Sequence, residues 1–132
     1  MPELKGLVEI QTDRAPRSTN PLSQGVRAGD ILFLSGQVPR DPDTGELVKG
    51  DFEAEVRRVL ENVKAVVEAA GGSLSRICKI NAYVSDPTLV PAFNNVYREY
   101  FTARPLPCRT TVGCSLGNPD IHIEVDAVAY LG

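Results

Sequence analysis

The stretch from Asp51 to Gly72 constrains the fold of this chain more than any other. Asp51 is of the residue type that caps helix N-termini, and Gly71-Gly72 is a typical C-terminal stop. The opposite face of the segment carries charges at i,i+4 spacing, as a solvated helix surface does. The apolar residues recur at the 3.6-residue period of an α-helix: Phe52, Val56, Val59, Leu60, Val63, Val67 and Ala70. The segment is therefore predicted to be an amphipathic helix that buries one face.

Shorter segments alternate or are apolar throughout, which predicts strands. A second helix is predicted after Asp86-Pro87 and is expected to end at Arg104-Pro105. The predicted strands are Leu7 to Thr12, a short strand at Val26-Arg27, Ile31 to Val38, Ile77 to Val84, Cys108 to Ser115 and Ile121 to Leu131. The pattern predicts a single α+β domain over residues 1–132 with a six-stranded sheet. Two helices cover only one face of such a sheet, so we expect association through the other.

Composition excludes several classes of protein. The formal net charge of −3 and the lack of a basic stripe argue against a nucleic-acid partner. No apolar run is long enough to span a membrane, and the first seven residues do not resemble a secretory leader. Three cysteines without CxxC spacing indicate neither a disulfide framework nor a zinc site, so we expect reduced thiols, no metal and a cytoplasmic location.

Two further kinds of site receive little support from the sequence. Gly71-Gly72 follows a helix instead of opening one, so no phosphate-binding loop and no nucleotide cofactor is predicted. His122 is the sole histidine and stands between two isoleucines, which is more typical of a structural residue than of a catalytic base. Cys108 and Cys114 share the parity of one predicted strand, and we expect them to serve as core or interface packing.

Arg109 is the residue that most needs an explanation. It is the single charged side chain between Leu106 and Pro119, and a guanidinium there must reach water, pair with a carboxylate or bind an anionic ligand. If the last two predicted strands form a hairpin turning at Leu116-Gly117, Arg109 lies opposite Glu124. Spacing leaves a structural ion pair and a carboxylate-binding arginine equally open.

Several segments together resemble the Rid/YjgF family. The most specific are the "SGQ" strand, the P-x-R-[ST] strand and the I-E-[VI]-[DE]-A-[VI]-A ending. The matching segments cover almost the whole chain in the family's order: "APRSTNPLSQGV" (15–26), "ILFLSGQVPRDPDTGELV" (31–48), "ENVKAVVEAAGGSLSRICKINAYVSD" (61–86), "FNNVYREYF" (93–101), "LPCRTTVG" (106–113) and "HIEVDAVAY" (122–130).

The resemblance implies a chorismate-mutase-like fold with two helices on one face of the sheet, assembled as a cofactor-free homotrimer with sites in clefts between subunits. It also implies hydrolysis of enamine and imine intermediates, chiefly 2-aminoacrylate and related 2-imino acids, to 2-oxo acids and ammonia. The implied partner is thus a small 2-imino or 2-oxo carboxylate.

The resemblance assigns roles by position. Arg109 matches the arginine that binds the substrate carboxylate, and Glu124 the glutamate that positions water. Gly36 and Thr111 match backbone that lines the pocket, and Ser35 and Asn94 match polar pocket positions, although both could simply satisfy neighbouring backbone groups. Leu22 departs from the family, in which active deaminases commonly carry a tyrosine there.

Two alternatives to the deaminase stay open at this point. Leu22 gives weight to a trimeric protein that binds or senses a 2-oxo acid without turnover. An RNA-directed role, described for some family members, is disfavoured by the acidic charge.

Overall fold

A computed structural model describes residues 6–132. The expectations about a leader and about one domain over residues 1–132 therefore also concern residues that lie outside the described part. The predicted long helix is observed as α1, Phe52–Ala69. The Asp51 carboxylate accepts hydrogen bonds from the backbone N–H groups of Glu53 and Ala54, at 3.0 and 3.4 Å. Gly71 adopts a φ of 89°, a left-handed conformation that glycine tolerates and that stops the helix.

The remaining elements follow the predicted order. The strands are β1 Leu7–Ile10, β2 Gly25–Ala28, β3 Ile31–Gln37, β4 Ile77–Val84, β5 Cys108–Gly113 and β6 Ile123–Tyr130. The second helix is α2, Val90–Tyr100, and short 3₁₀ turns at Leu74–Arg76 and Pro87–Leu89 precede β4 and α2. Asp86 caps the second of these turns by accepting from the Thr88 backbone N–H at 2.9 Å.

The six strands form one sheet in the order β1-β2-β3-β6-β4-β5. All neighbouring strands are antiparallel except β4 and β5, which are parallel. Alternate residues of the central strands, such as Leu32, Ile80 and Val125, are buried in one core with the apolar faces of α1 and α2. The predicted α+β class and the two helices on one face of the sheet are therefore confirmed.

Among residues 6–132, no helix packs on the other face of the sheet. Phe33 and Tyr130 lie there with 50% and 46% of their surface exposed. We call it the open face. Exposed aromatic side chains on a β-sheet are typical of a surface that meets another protein.

The hairpin hypothesis for the last two strands is wrong. β4 lies between β5 and β6, and Arg109 is opposite Ile80 whereas Glu124 is opposite Tyr83. Since β5 runs parallel to β4, the chain from 114 to 122 crosses over β4 instead of turning tightly. The supposed pairing of Arg109 with Glu124 is lost with the hairpin.

None of the helices in residues 6–132 is both long and apolar enough to cross a lipid bilayer.

Candidate active site

A cleft of about 680 Å³ opens between the loop after β1 and the ends of β3 and β6. Four of the predicted site residues line it: Leu22, Ser35, Gly36 and Glu124. We refer to it below as the cleft.

Gln24, which sequence reasoning missed, holds the loop that forms one wall of the cleft. Its side chain is buried, with 6% of the residue exposed. Its carbonyl accepts from the Thr12 backbone N–H at 2.7 Å, and its amide nitrogen donates to the carbonyls of Thr12, Ala15 and Pro16 at 3.0 to 3.2 Å. One side chain thus provides the hydrogen bonds that a proline-containing loop cannot make within itself.

Ser35 fixes the same loop from the strand side. Its hydroxyl donates to the Ser23 carbonyl at 2.6 Å, and its backbone N–H donates to the Gln24 carbonyl at 2.9 Å. The contacts of Ser35 are therefore those of a serine that satisfies neighbouring backbone groups, which was the alternative to a polar pocket position.

Leu22 lies in this loop with 51% of its surface exposed. Its backbone N–H donates to the Asn20 carbonyl at 2.8 Å, and the residue lines the wall of the cleft.

Glu124 extends into the cleft from the open face of β6. Gly36 leaves the space for it, because a Cβ at position 36 would overlap Oε2 of Glu124 and lie 3.0 Å from Cδ. Burial raises the pKa of the Glu124 carboxyl, and repulsion from Asp126 raises it further. A carboxyl with a raised pKa in a cleft is a candidate for moving protons.

Arg109 lies on the other side of the sheet. Its guanidinium carbon is 4.8 Å from the ring centroid of Tyr97 and 5.2 Å from that of Phe93, both on α2. Thr111 is opposite Ala82 of the core and so is on the same side as Arg109. Asn94 is half-buried on α2, directly after Phe93.

The predicted site residues are therefore divided between two faces of one chain. Glu124 and Arg109 are separated by β4, and their partners on β4, Tyr83 and Ile80, are three residues apart. Two strand spacings across the sheet and three residues along it put their backbones about 14 Å apart. Their side chains also leave the sheet on opposite faces. A single subunit cannot bring these two groups to one small ligand.

Three polar side chains beside Glu124 were not identified from the sequence. The Asn81 amide nitrogen donates to Oδ1 of Asp126 at 2.9 Å, and the Tyr83 hydroxyl donates to Oδ2 at 3.1 Å. The hydrogen bond to Asp126 raises the pKa of Tyr83. The partners are 43 and 45 residues apart in the chain, so only the β4–β6 register could reveal the cluster.

His122 is a structural partner of α1. Its Nδ1 lies 2.9 Å from Oε1 of Glu55, whose side chain is 3% exposed. Cys108 and Cys114 are both exposed in the single chain, so they do not pack in its core, and the alternative of interface packing stays a prediction. They are on the edge strand β5 and just beyond its end, where no further strand covers them.

Comparison with known proteins assigns the family. Residues 12–131 match the family model described as Endoribonuclease L-PSP. A RutC family protein of Pyrococcus horikoshii is 46% identical over 121 residues, which are 92% of this chain and 95% of the relative. The crystal structure of Escherichia coli TdcF with bound serine is 36% identical, covers 95% of this chain and 99% of its own, and has a TM-score of 0.88. The chain belongs to the Rid/YjgF family.

Relatives of this Rid/YjgF protein carry functional names of more than one kind. A protein of Dermatophagoides farinae that is 34% identical, with 92% of this chain and 94% of the relative aligned, is named 2-iminobutanoate/2-iminopropanoate deaminase. The family model carries a ribonuclease name, and the archaeal relative is named only for its family. Membership in the Rid/YjgF family therefore supports a deaminase at the level of the family, and the choice for this chain depends on its site.

Proposed function

We propose that this Rid/YjgF protein hydrolyses reactive 2-imino acids, such as the imine of 2-aminoacrylate, to 2-oxo acids and ammonia. The main observation behind the proposal concerns the contacts of the Arg109 guanidinium. Within residues 6–132 of one chain, no carboxylate oxygen lies within 4.0 Å of its guanidinium, which rests on two aromatic rings. The structural ion pair that competed with ligand binding is therefore not formed within the subunit.

A guanidinium on aromatic rings keeps its planar fork of donors available. Such a fork matches a carboxylate in a bidentate pair. The similar TdcF structure contains serine, a small molecule with a carboxylate of the required size. Both points support a small 2-imino or 2-oxo carboxylate as the ligand of Arg109.

The complete site requires a second subunit. Arg109 faces the helix side of β5, an edge strand, whereas Glu124 lies on the open face. Packing the open face of one subunit against the edge of the next would bring Arg109 of one subunit to the cleft of another. This agrees with the homotrimer and the clefts between subunits that the family resemblance implies.

The proposed reaction needs neither a cofactor nor a strong base. The enamine first tautomerises to the imine, and Arg109 then holds its carboxylate. A water molecule positioned by Glu124 attacks the imine carbon, and ammonia leaves as the carbonyl forms. Positioning is the main contribution of the protein, because fixing water beside a reactive imine removes most of the entropic cost of the encounter.

A second candidate is a 2-oxo acid binding or sensor protein without turnover. The exposed Leu22 favours it, because this position offers the cleft no hydroxyl group. An RNA-directed activity has less support from the residues, since the net charge of −3 gives no electrostatic attraction to phosphates.

The test is to generate 2-aminoacrylate with a dehydratase and to follow pyruvate release with wild type, Arg109→Ala and Arg109→Lys. We expect wild type to accelerate release, Arg109→Ala to lose the acceleration, and Arg109→Lys to retain part of it because it keeps the charge without the fork. Equal rates with wild type and Arg109→Ala contradict the catalytic role. An inactive wild type that still binds 2-oxobutyrate through Arg109 would establish the sensor instead.

A further inference from the structure

Asp126 is held in place on the open face by two donors from β4. Asn81 is directly opposite Asp126 in the antiparallel register, and its amide donates to Oδ1 at 2.9 Å. Tyr83 is opposite Glu124 and reaches across to donate to Oδ2 at 3.1 Å. Each carboxylate oxygen accepts one hydrogen bond, an arrangement that fits the ionised form and fixes the position of its charge.

Glu124 is two residues before Asp126 on the same strand, so the two carboxyl groups leave the same face about 7 Å apart at their Cα atoms. Within residues 6–132, no lysine or arginine nitrogen lies within 4.0 Å of Glu124. Burial first, and the Asp126 charge second, raise the pKa of the Glu124 carboxyl. Asp126 is thus the charged neighbour that disfavours ionisation of Glu124.

Two other charged side chains line the cleft, Arg17 and Arg40. Arg17 lines the cleft but pairs with Asp13, and Arg40 donates to the Gly45 carbonyl at 2.6 Å. β3 places Gly36 against Glu124, and β4 contributes the Tyr83 hydroxyl, which is turned to Asp126. In the proposed assembly the Arg109 guanidinium of a neighbouring subunit also arrives, but the substrate carboxylate neutralises it.

We infer that Asp126, held by Asn81 and Tyr83, is a positioning residue whose fixed negative charge favours the protonated form of the Glu124 carboxyl when substrate is bound. In that form Glu124 can relay protons between the attacking water and the departing nitrogen. The inference rests on the proposed hydrolysis and adds a role for three residues that do not touch the substrate.

The relay balances in two steps. As the water oxygen bonds to the imine carbon, a water proton passes to the free oxygen of the Glu124 carboxyl, and the carboxyl proton passes to the nitrogen. In the second step the hydroxyl proton of the carbinolamine goes to Glu124, the carboxyl proton goes to nitrogen, the C–N bond breaks and the carbonyl forms. One water is consumed, one ammonia is released, and Glu124 ends protonated as it began.

The test titrates Glu124 directly. The glutamate carboxyl carbons of the protein are isotope-labelled, and the protein is saturated with 2-oxobutyrate as the probe. Carbon NMR then follows the chemical shift of the Glu124 carboxyl against pH. The Glu124 signal is assigned by its absence in Glu124→Gln. We expect Asp126→Asn to move this titration to lower pH and to move the high-pH decline of kcat for the imino acid, which reports the substrate complex, in the same direction. Tyr83→Phe, which leaves the charge of Asp126 in place, should shift both much less.

The outcomes separate this inference from the proposed function. An unmoved Glu124 titration in Asp126→Asn, or in Asp126→Ser should the asparagine variant not fold, overturns the role of Asp126. A shifted titration with an unmoved pH profile overturns the proton relay. Pyruvate release that is equal for wild type and Arg109→Ala overturns the hydrolase itself, whatever Glu124 does.

Discussion

Gly36 shows how one missing side chain shapes the cleft. The Glu124 carboxyl occupies the space where a Cβ at position 36 would lie, and its Cγ is 3.2 Å from that point. The atoms in the way belong to the end of a flexible side chain, so a methyl group there should displace Glu124 and leave the sheet intact.

Gly36→Ala is therefore expected to reduce imine hydrolysis by about 100-fold, the loss typical of a catalytic group displaced by about 1 Å. Steady-state pyruvate release measures the rate, and thermal unfolding should remain close to that of wild type. The unfolding measurement is the control, because it separates a displaced Glu124 carboxyl from a general loss of the fold. A Gly36→Ala protein with the wild-type rate would remove Glu124 from the mechanism.

At the scale of elements, α2 determines where Arg109 points. The helix presents Phe93 and Tyr97 beneath the guanidinium, and Tyr97 also stacks on Phe101 with ring centroids 4.4 Å apart. The rings restrict the Arg109 guanidinium to one region and leave its positive charge available. An acidic partner would instead neutralise that charge.

Tyr97→Leu is expected to weaken 2-oxobutyrate binding about two- to fivefold, the effect of losing one cation–π contact. Tyr97→Phe keeps the ring and should bind as wild type does. Isothermal titration calorimetry of both variants measures the difference. Unchanged affinity in Tyr97→Leu would mean that β5 alone positions the arginine.

At the scale of the whole molecule, the division of Arg109 and Glu124 between two faces makes assembly part of the proposed site. If each cleft combines Arg109 of one subunit with Glu124 of another, two inactive variants can complement each other. Arg109→Ala subunits retain Glu124, and Glu124→Gln subunits retain Arg109.

Random mixed trimers of these two variants should recover about a quarter of wild-type activity, since about one cleft in four receives both intact residues. The measurement is pyruvate release after the two chains are unfolded and refolded together, with light scattering to establish the trimer. The double variant mixed with Arg109→Ala is the control and should stay inactive. No recovery from the first mixture would contradict a site shared between subunits.

Much of this organisation could be predicted from local patterns. The period of the apolar residues placed α1 to within a residue of its observed start, and Asp51 was identified as its cap. Arg109 stood out because a charge in an apolar segment needs a reason. Such features depend on residues within one or two turns of each other, and local physical chemistry decides them.

The pairing of distant strands could not be obtained in the same way. Nothing local distinguishes a hairpin of β5 and β6 from the observed insertion of β4, because the alternation within each strand does not specify which strand lies beside it. The loop-fixing contacts of Gln24 and the contacts of Asp126 depend on that pairing or on chain segments far apart in sequence.

The amino-acid sequence thus specified the helices, the number of strands and the family, since periodicity, caps and motifs are written in neighbouring residues. The tertiary structure alone decided that Arg109 and Glu124 leave opposite faces of the sheet, and that Asp126 accompanies Glu124. The physical reason is register: which residues share a face is determined when strands from separate parts of the chain pair, and a different pairing would redistribute every one of these groups.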